Sequence, residues 1–183
     1  MSTYPVQTAQ TAPEGSRDLL QGIQKTLGFI PNLYGTMANN PAVLAGYLGL
    51  SEAFSKTSFR PQEQQLILLA ASTLNGCDYC VAAHSTVAQM VKLDAGLLHS
   101  VRNSTPLADA RLDALVNFTR TIVAERGWVS EDVIDAFVAA GWDRRQVPEV
   151  ILGVSLKTFS NYFNHINQTE VDAAFQANAW SRD

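Results

Sequence analysis

Two cysteines and a histidine stand close together in this chain: Cys77 and Cys80, spaced C-x-x-C, with His84 four residues after the second. They are the only cysteines in the sequence. If the stretch from Asp78 onward is helical, Cys80 and His84 lie one turn apart on one face, within hydrogen-bonding reach. Cys77 then falls at the helix start. The unpaired backbone N–H groups and the dipole of a helix N-terminus favour negative charge, and a neighbouring imidazole can take a proton, so a thiol there is drawn toward thiolate. The C-x-x-C spacing also lets one sulfur attack a substrate and the other resolve the product as a disulfide.

Two other readings of the pair stay open. A lone C-x-x-C is half of a zinc site, but only His99 and His165 remain as distant further ligands, and no metal or cofactor is expected. Cysteine also buries readily as an inert core residue, which leaves the spacing to His84 without a reason. As a staple the pair closes too short a loop to matter, so in a reducing compartment redox or metal chemistry is the expected use.

The elements that must position this cluster read as helices throughout. Leu19, Leu20, Ile23 and Leu27 recur at helical spacing up to Gly28. Pro31 opens a short piece, and Pro41 starts a helix running to about Lys56. Pro61 starts the next, with Ser58 as a candidate cap, ending near Leu74; its LILLAAS run is apolar on nearly every side, as in a helix buried all round. Asn75-Gly76 is a turn signal directly before Cys77. Helices are then expected over Asp78 to Lys92, Leu93 to Arg102, Leu107 to Arg126, from a Ser130 cap to Gly141, and over Val147 to Ile166, followed by a short helix and tail. No strand-like alternation with hairpin turns occurs. The fold class is all-α, a bundle of about seven to nine helices, with residues 1–13 read as a flexible polar arm, 14–178 as a single helical domain and 179–183 as a tail.

Composition excludes several function classes. The formal net charge is −4 and the 13 Lys and Arg residues are scattered, so no nucleic-acid footprint is expected. No apolar run reaches the roughly 18 residues of a membrane span, and the N-terminus lacks the pattern of a secretory signal; a cytoplasmic protein with no membrane partner is expected. The apolar fraction of 46% suits subunit association.

The stretch Glu63 to Ser85, and LNGCDYCVAAHS within it above all, resembles the core motif of the alkylhydroperoxidase D (AhpD)-like branch of the carboxymuconolactone decarboxylase superfamily. A weaker likeness extends over roughly Leu27 to Ile166. The resemblance implies an oligomeric AhpD-like helical bundle (a trimer, or a dimer or hexamer) that reduces hydroperoxides with thiols in antioxidant defence. It implies Cys80 as the sulfur attacking peroxide, Cys77 as the resolving sulfur, His84 in proton transfer, and a reducing thiol or dithiol protein partner to regenerate the pair. One position departs: the family relay has a glutamate twelve residues before the first cysteine, and here that residue is Gln65. Glu63 lies about 200° away from it around a helix, so both cannot face the cysteines. An inward Gln65 can orient His84 but cannot accept a proton, which leaves water or Tyr79 as the expected route. The readings carried beside the peroxidase are a non-catalytic redox sensor or oligomeric binding protein of the same fold, and a decarboxylase of the carboxymuconolactone type. Trp128 and Trp142 read as packing residues, and Asn161 with His165 as a hydrogen-bonded interior pair.

Overall fold

Prolines and short polar side chains divide the chain into helices. Pro41, Pro61 and Pro148 each occupy a first helical turn, where a missing N–H costs nothing. Asn40, Asp94 and Asp109 accept hydrogen bonds from first-turn backbone N–H groups. The computed structural model describes residues 3–181. Within them the order is α1 (Glu14–Leu27), α2 (Asn32–Met37), α3 (Pro41–Ser55), α4 (Pro61–Leu74), α5 (Asp78–Met90), α6 (Ala95–Arg102), α7 (Ala110–Ala124), α8 (Glu131–Ala139) and α9 (Val147–Asn167). Short 3-10 turns cover Arg144–Gln146 and Ala173–Asn178. The fold is all-α, as the periodicity requires.

Helix α4 is the hub. From Leu66 to Ala71 every residue is buried, because α5, α6, α7 and α9 all pack on it. The larger core lies between α3, α4, α7 and α9, and a smaller one, with Leu66, Leu69, Val81, Val101 and Val116, fills the space among α4, α5, α6 and α7. Contact between α9 and α4 is close at Gly153: a Cβ there would stand 2.7 Å from Phe54 Cε2 and 2.8 Å from Ile67 Cγ2. Absence of a side chain at Gly153 thus sets how near α9 approaches α4 and α3.

Several local expectations are corrected. Residues 3–12 do not stand free as an arm: Tyr4 N donates to Asn167 Oδ1 at 2.8 Å, Gln7 N donates to Gly35 O at 3.0 Å, and Ala9 and Ala12 are buried; the first two residues of that arm and the last two of the expected tail lie outside the described residues. The body supplies partners for this backbone, including the Asn167 carbonyl at the end of α9, which accepts from Thr3 N. Ser130 stands at the N-cap of α8 but makes no side-chain cap bond. Ser58 does not cap α4; it bonds Glu149, while Glu63 reaches back to the Arg60 N–H at the α4 start. Trp142 is packed between Phe59 and Phe137, but Trp128 is 88% exposed.

Gly153→Ala is expected to lower stability by about 1–3 kcal/mol through overpacking, a fall of a few degrees in thermal midpoint by circular dichroism. An unchanged midpoint would show that α9 and α4 can separate freely.

Candidate functional site

The turn between α4 and α5 sets the cysteines. Gly76 takes φ 67°, a left-handed conformation that glycine adopts without strain, and Cys77 N returns to Ser72 O at 3.0 Å. Asn75 Nδ2 ties the turn to α9 by donating to Asn161 Oδ1 at 2.9 Å. Cys77 is consequently the N-cap residue of α5 and Cys80 sits in its first turn, both buried and both free thiols. His84 follows one turn later.

Helix α9 presents three side chains to this cluster. Asn164 Nδ2 donates to Cys80 Sγ at 3.3 Å and lies 3.8 Å from Cys77 Sγ. Ser160 Oγ lies 3.8 Å from Cys80 Sγ. Lys157, wholly buried, places Nζ 2.8 Å from His84 Nε2, and its charge acts on Cys80. Glu63 points away from the cluster and pairs with Arg60 and Arg111, so Gln65 is the α4 residue that faces in. Its Oε1 stands 3.0 Å from His84 Nδ1.

These contacts define the imidazole. A lysine ammonium only donates, so Nε2 must carry the lone pair and accept from Lys157; Nδ1 then carries the proton and donates to the Gln65 carbonyl oxygen. Burial, joined by the Lys157 charge, holds the His84 pKa well below the usual imidazole value, so the ring is neutral around pH 7. His84 therefore passes a fixed dipole from Lys157 to Gln65.

The two sulfurs are unequal. Burial pushes the Cys80 thiol up, but a hydrogen bond from Cys77, the charge and hydrogen bond of Lys157, and Ser160 together bring it well below the ordinary thiol value. Cys77 moves the other way: its hydrogen bond to Cys80 raises it first, burial second, and the Cys80 charge third. Of the pair, Cys80 is the sulfur that favours the thiolate and Cys77 the one that favours the thiol.

Other expected residues lie elsewhere. The Tyr79 hydroxyl donates to Asp172 Oδ2 at 2.6 Å and accepts from Leu33 N at 3.2 Å; it faces α2 and the C-terminal segment, while Lys157 stands beside His84. Asn161 is buried as expected, but His165 is exposed and not its interior partner. Among the described residues no group of three or more His, Cys, Asp or Glu gathers that could hold a metal ion. Lys157, Ser160 and Asn164 were not singled out from sequence. The available signal was one lysine within the apolar run of α9, with Ser160 and Asn164 three and seven residues on, along the same face.

A cavity of about 380 Å³ opens onto Cys80, His84 and Lys157. Its other walls are mostly apolar and aromatic, including Phe29, Leu33, Tyr34, Tyr47, Met90 and Phe175. Phe175 comes from the 3-10 turn Ala173–Asn178, held in place by Asp172, which accepts from Tyr79 and Asn32 N. No helix among the described residues is long and apolar enough to cross a membrane.

Residues 41–103, which include Gln65, both cysteines and His84, match the model of the carboxymuconolactone decarboxylase family. The fold matches a peroxidase-related protein from Ralstonia eutropha JMP134 described as an alkylhydroperoxidase AhpD core, with TM-score 0.85 at 21% identity over 95% of this chain and 94% of that one. A peroxidase-related protein from Silicibacter sp. TM1040 matches with TM-score 0.83 at 18% identity, covering 97% and 95%. The debrominase Bmp8, as a variant in complex with 2,3,4-tribromopyrrole, matches with TM-score 0.79 at 17% identity, covering 97% of each chain. No curated protein matches the sequence significantly. The solved structures share the fold; the matched segment carries the family motif.

Replacing Lys157 by Met, close in volume but uncharged, removes the cation beside Cys80. The pH midpoint for Cys80 alkylation by iodoacetamide is expected to rise by at least about one unit, which slows alkylation roughly tenfold at pH values below the parent's midpoint. An unmoved midpoint would assign the thiolate to the helix end and Cys77 alone.

Proposed function

We propose that this chain, of the AhpD-like branch of the carboxymuconolactone decarboxylase superfamily by its matched segment and its fold, is a thiol-dependent hydroperoxide reductase. The observation that carries the reading is the buried Lys157, which meets His84 at 2.8 Å, lines one apolar cavity with His84 and Cys80, and favours the thiolate of Cys80.

The steps balance. Cys80 thiolate attacks the terminal oxygen of ROOH; an S–O bond forms, the O–O bond breaks, and alkoxide leaves. Lys157 gives that oxygen a proton, so the first products are ROH, Cys80 sulfenic acid and a neutral lysine amine. His84 holds the ammonium in place by accepting one of its protons at Nε2, and Gln65 holds His84 in the tautomer this requires. Cys77 then attacks the oxidised sulfur, its proton leaving with the hydroxyl as water, and a Cys77–Cys80 disulfide forms. Two equivalents of thiol reopen the pair, and the proton released as Cys80 returns to thiolate restores the lysine ammonium. In sum, ROOH and two thiols give ROH, water and a disulfide. The reductant is a thiol or dithiol, from a small molecule or a protein partner.

This reading is tested by following loss of cumene hydroperoxide with dithiothreitol as reductant. Cys80→Ser is expected to fall to the uncatalysed rate, while Cys77→Ser consumes one equivalent and leaves a sulfenic acid that dimedone captures. The rate follows the thiolate fraction: it is lost as pH falls through the lowered Cys80 pKa and reaches a plateau above it. A Cys80→Ser protein as active as the parent would sink the mechanism.

A second reading, removal of halogen from a small halogenated aromatic compound, draws on the ring of Phe29, Tyr34, Tyr47 and Phe175 around Cys80; bromide release from 2,3,4-tribromopyrrole with dithiothreitol would favour it. We further propose that the protein works as a homo-oligomer, since α9 leaves Ile151, Tyr162 and Ile166 exposed along its outer face. Sedimentation at micromolar concentration is expected to show more than one chain, and a monomer would count against it.

A further inference from the structure

The two cysteines do not open onto the same space. Cys80 lines the large apolar cavity, whereas Cys77 lines a separate groove of about 210 Å³ with Gly76, Asp78, Asn164, His165 and Thr169. Tyr79 is the one residue that lines both. The groove is polar where the cavity is apolar. It also holds an acceptor without a donor: Asn164 is only 4% exposed, and its Oδ1 has no hydrogen-bond partner among the described residues, although its Nδ2 contacts both sulfurs. A buried acceptor left unpaired is uncommon in a folded protein and marks a place where a donor belongs.

We propose that the oxidised pair is reopened through this groove: a low-molecular-weight thiol or dithiol enters beside Cys77, donates an N–H or O–H to Asn164 Oδ1, and attacks the Cys77 sulfur. The inference rests on the dithiol reductase reading above and names the side and the kind of reductant. Attack at Cys77 is favoured by the groove that reaches it and by the leaving group. Sulfur exchange is faster when the departing thiolate is the better stabilised one, and Cys80 is the sulfur that receives Asn164 Nδ2 at 3.3 Å and shares its cavity with the Lys157 charge. The reductant thiolate forms a new S–S bond to Cys77, the Cys77–Cys80 bond breaks, and Cys80 departs as thiolate. The proton given up by the reductant goes to the Lys157 amine. A second thiol, from the same dithiol or another molecule, attacks the reductant sulfur and releases Cys77, which takes that thiol's proton. Peroxide and reductant therefore need not exchange places in one cavity.

The test uses the full chain oxidised with diamide, so that it does not depend on peroxide chemistry. Reduction by dithiothreitol is quenched with acid, and free thiols are counted by mass spectrometry. His165→Trp, an exposed position on the groove rim, is expected to slow reduction at least tenfold, while oxidation of the reduced variant by cumene hydroperoxide stays within twofold of the parent. Ala83→Phe, which narrows the other cavity, should slow oxidation and leave reduction within twofold. Quenching the parent protein during reduction by cysteamine should trap the mixed disulfide on Cys77. An adduct on Cys80, or reduction that Ala83→Phe slows and His165→Trp does not, overturns the proposal. If diamide-oxidised protein behaves as described but hydroperoxide fails to oxidise the parent, the peroxidase reading falls and the reductant groove stands.

Discussion

A lysine ammonium wholly enclosed by protein normally finds a carboxylate, because removing a charge from water is costly unless an opposite charge or a full set of acceptors replaces the lost hydration. Lys157 has no such ion pair among the described residues. What faces it is a neutral imidazole and a sulfur. The opposite charge has to come from Cys80, so the cation and the thiolate each supply the condition for burying the other. The tautomer of His84 and the lowered pKa of Cys80 both draw on that pairing.

Holding the pair requires α5 and α9 to stay in register, and both are referenced to α4. Gly153 lets α9 sit against Phe54 and Ile67. Asn75 and Asn161 join the turn before Cys77 to α9 at a point one helical turn from Lys157 and from Asn164's neighbourhood. The Arg60–Glu63–Arg111 cluster anchors the other end of α4, which orients Gln65 toward His84. The site is therefore built on packed helices, and the C-terminal segment adds Phe175 to the cavity wall and Asp172 to Tyr79.

Much of this was readable because it is local. Cys77, Cys80 and His84 are related by spacings that a helix converts directly into neighbours, and the structure brings them together. For Gln65, helical phase said only that it and Glu63 cannot both face the cysteines, and the structure turns Gln65 inward. Lys157 was not readable: it is 73 residues from His84, and a lone lysine on an amphipathic helix ordinarily turns its charge to water. Tyr79 points away from His84 because Asp172, 93 residues on, offers it a carboxylate. The N-terminal residues look like a free polar arm until the end of α9 and α2 provide partners for their backbone. Trp128 and His165 misled for the opposite reason: their types suggest burial, and no element covers them.

The amide at Gln65 has a wider meaning for the catalytic cycle. With a carboxylate there, the enclosed region would hold thiolate, carboxylate and ammonium together and carry a net negative charge at rest. With glutamine the interior is electroneutral in every state of the proposed cycle. Ammonium and thiolate cancel before the reaction. Sulfenic acid or disulfide then stands beside an uncharged amine, until reduction regenerates both charges at once. No step leaves a lone charge in the low-dielectric interior, so the cavity has no need to admit water or a counterion between half-reactions, and an apolar substrate can meet an apolar wall throughout.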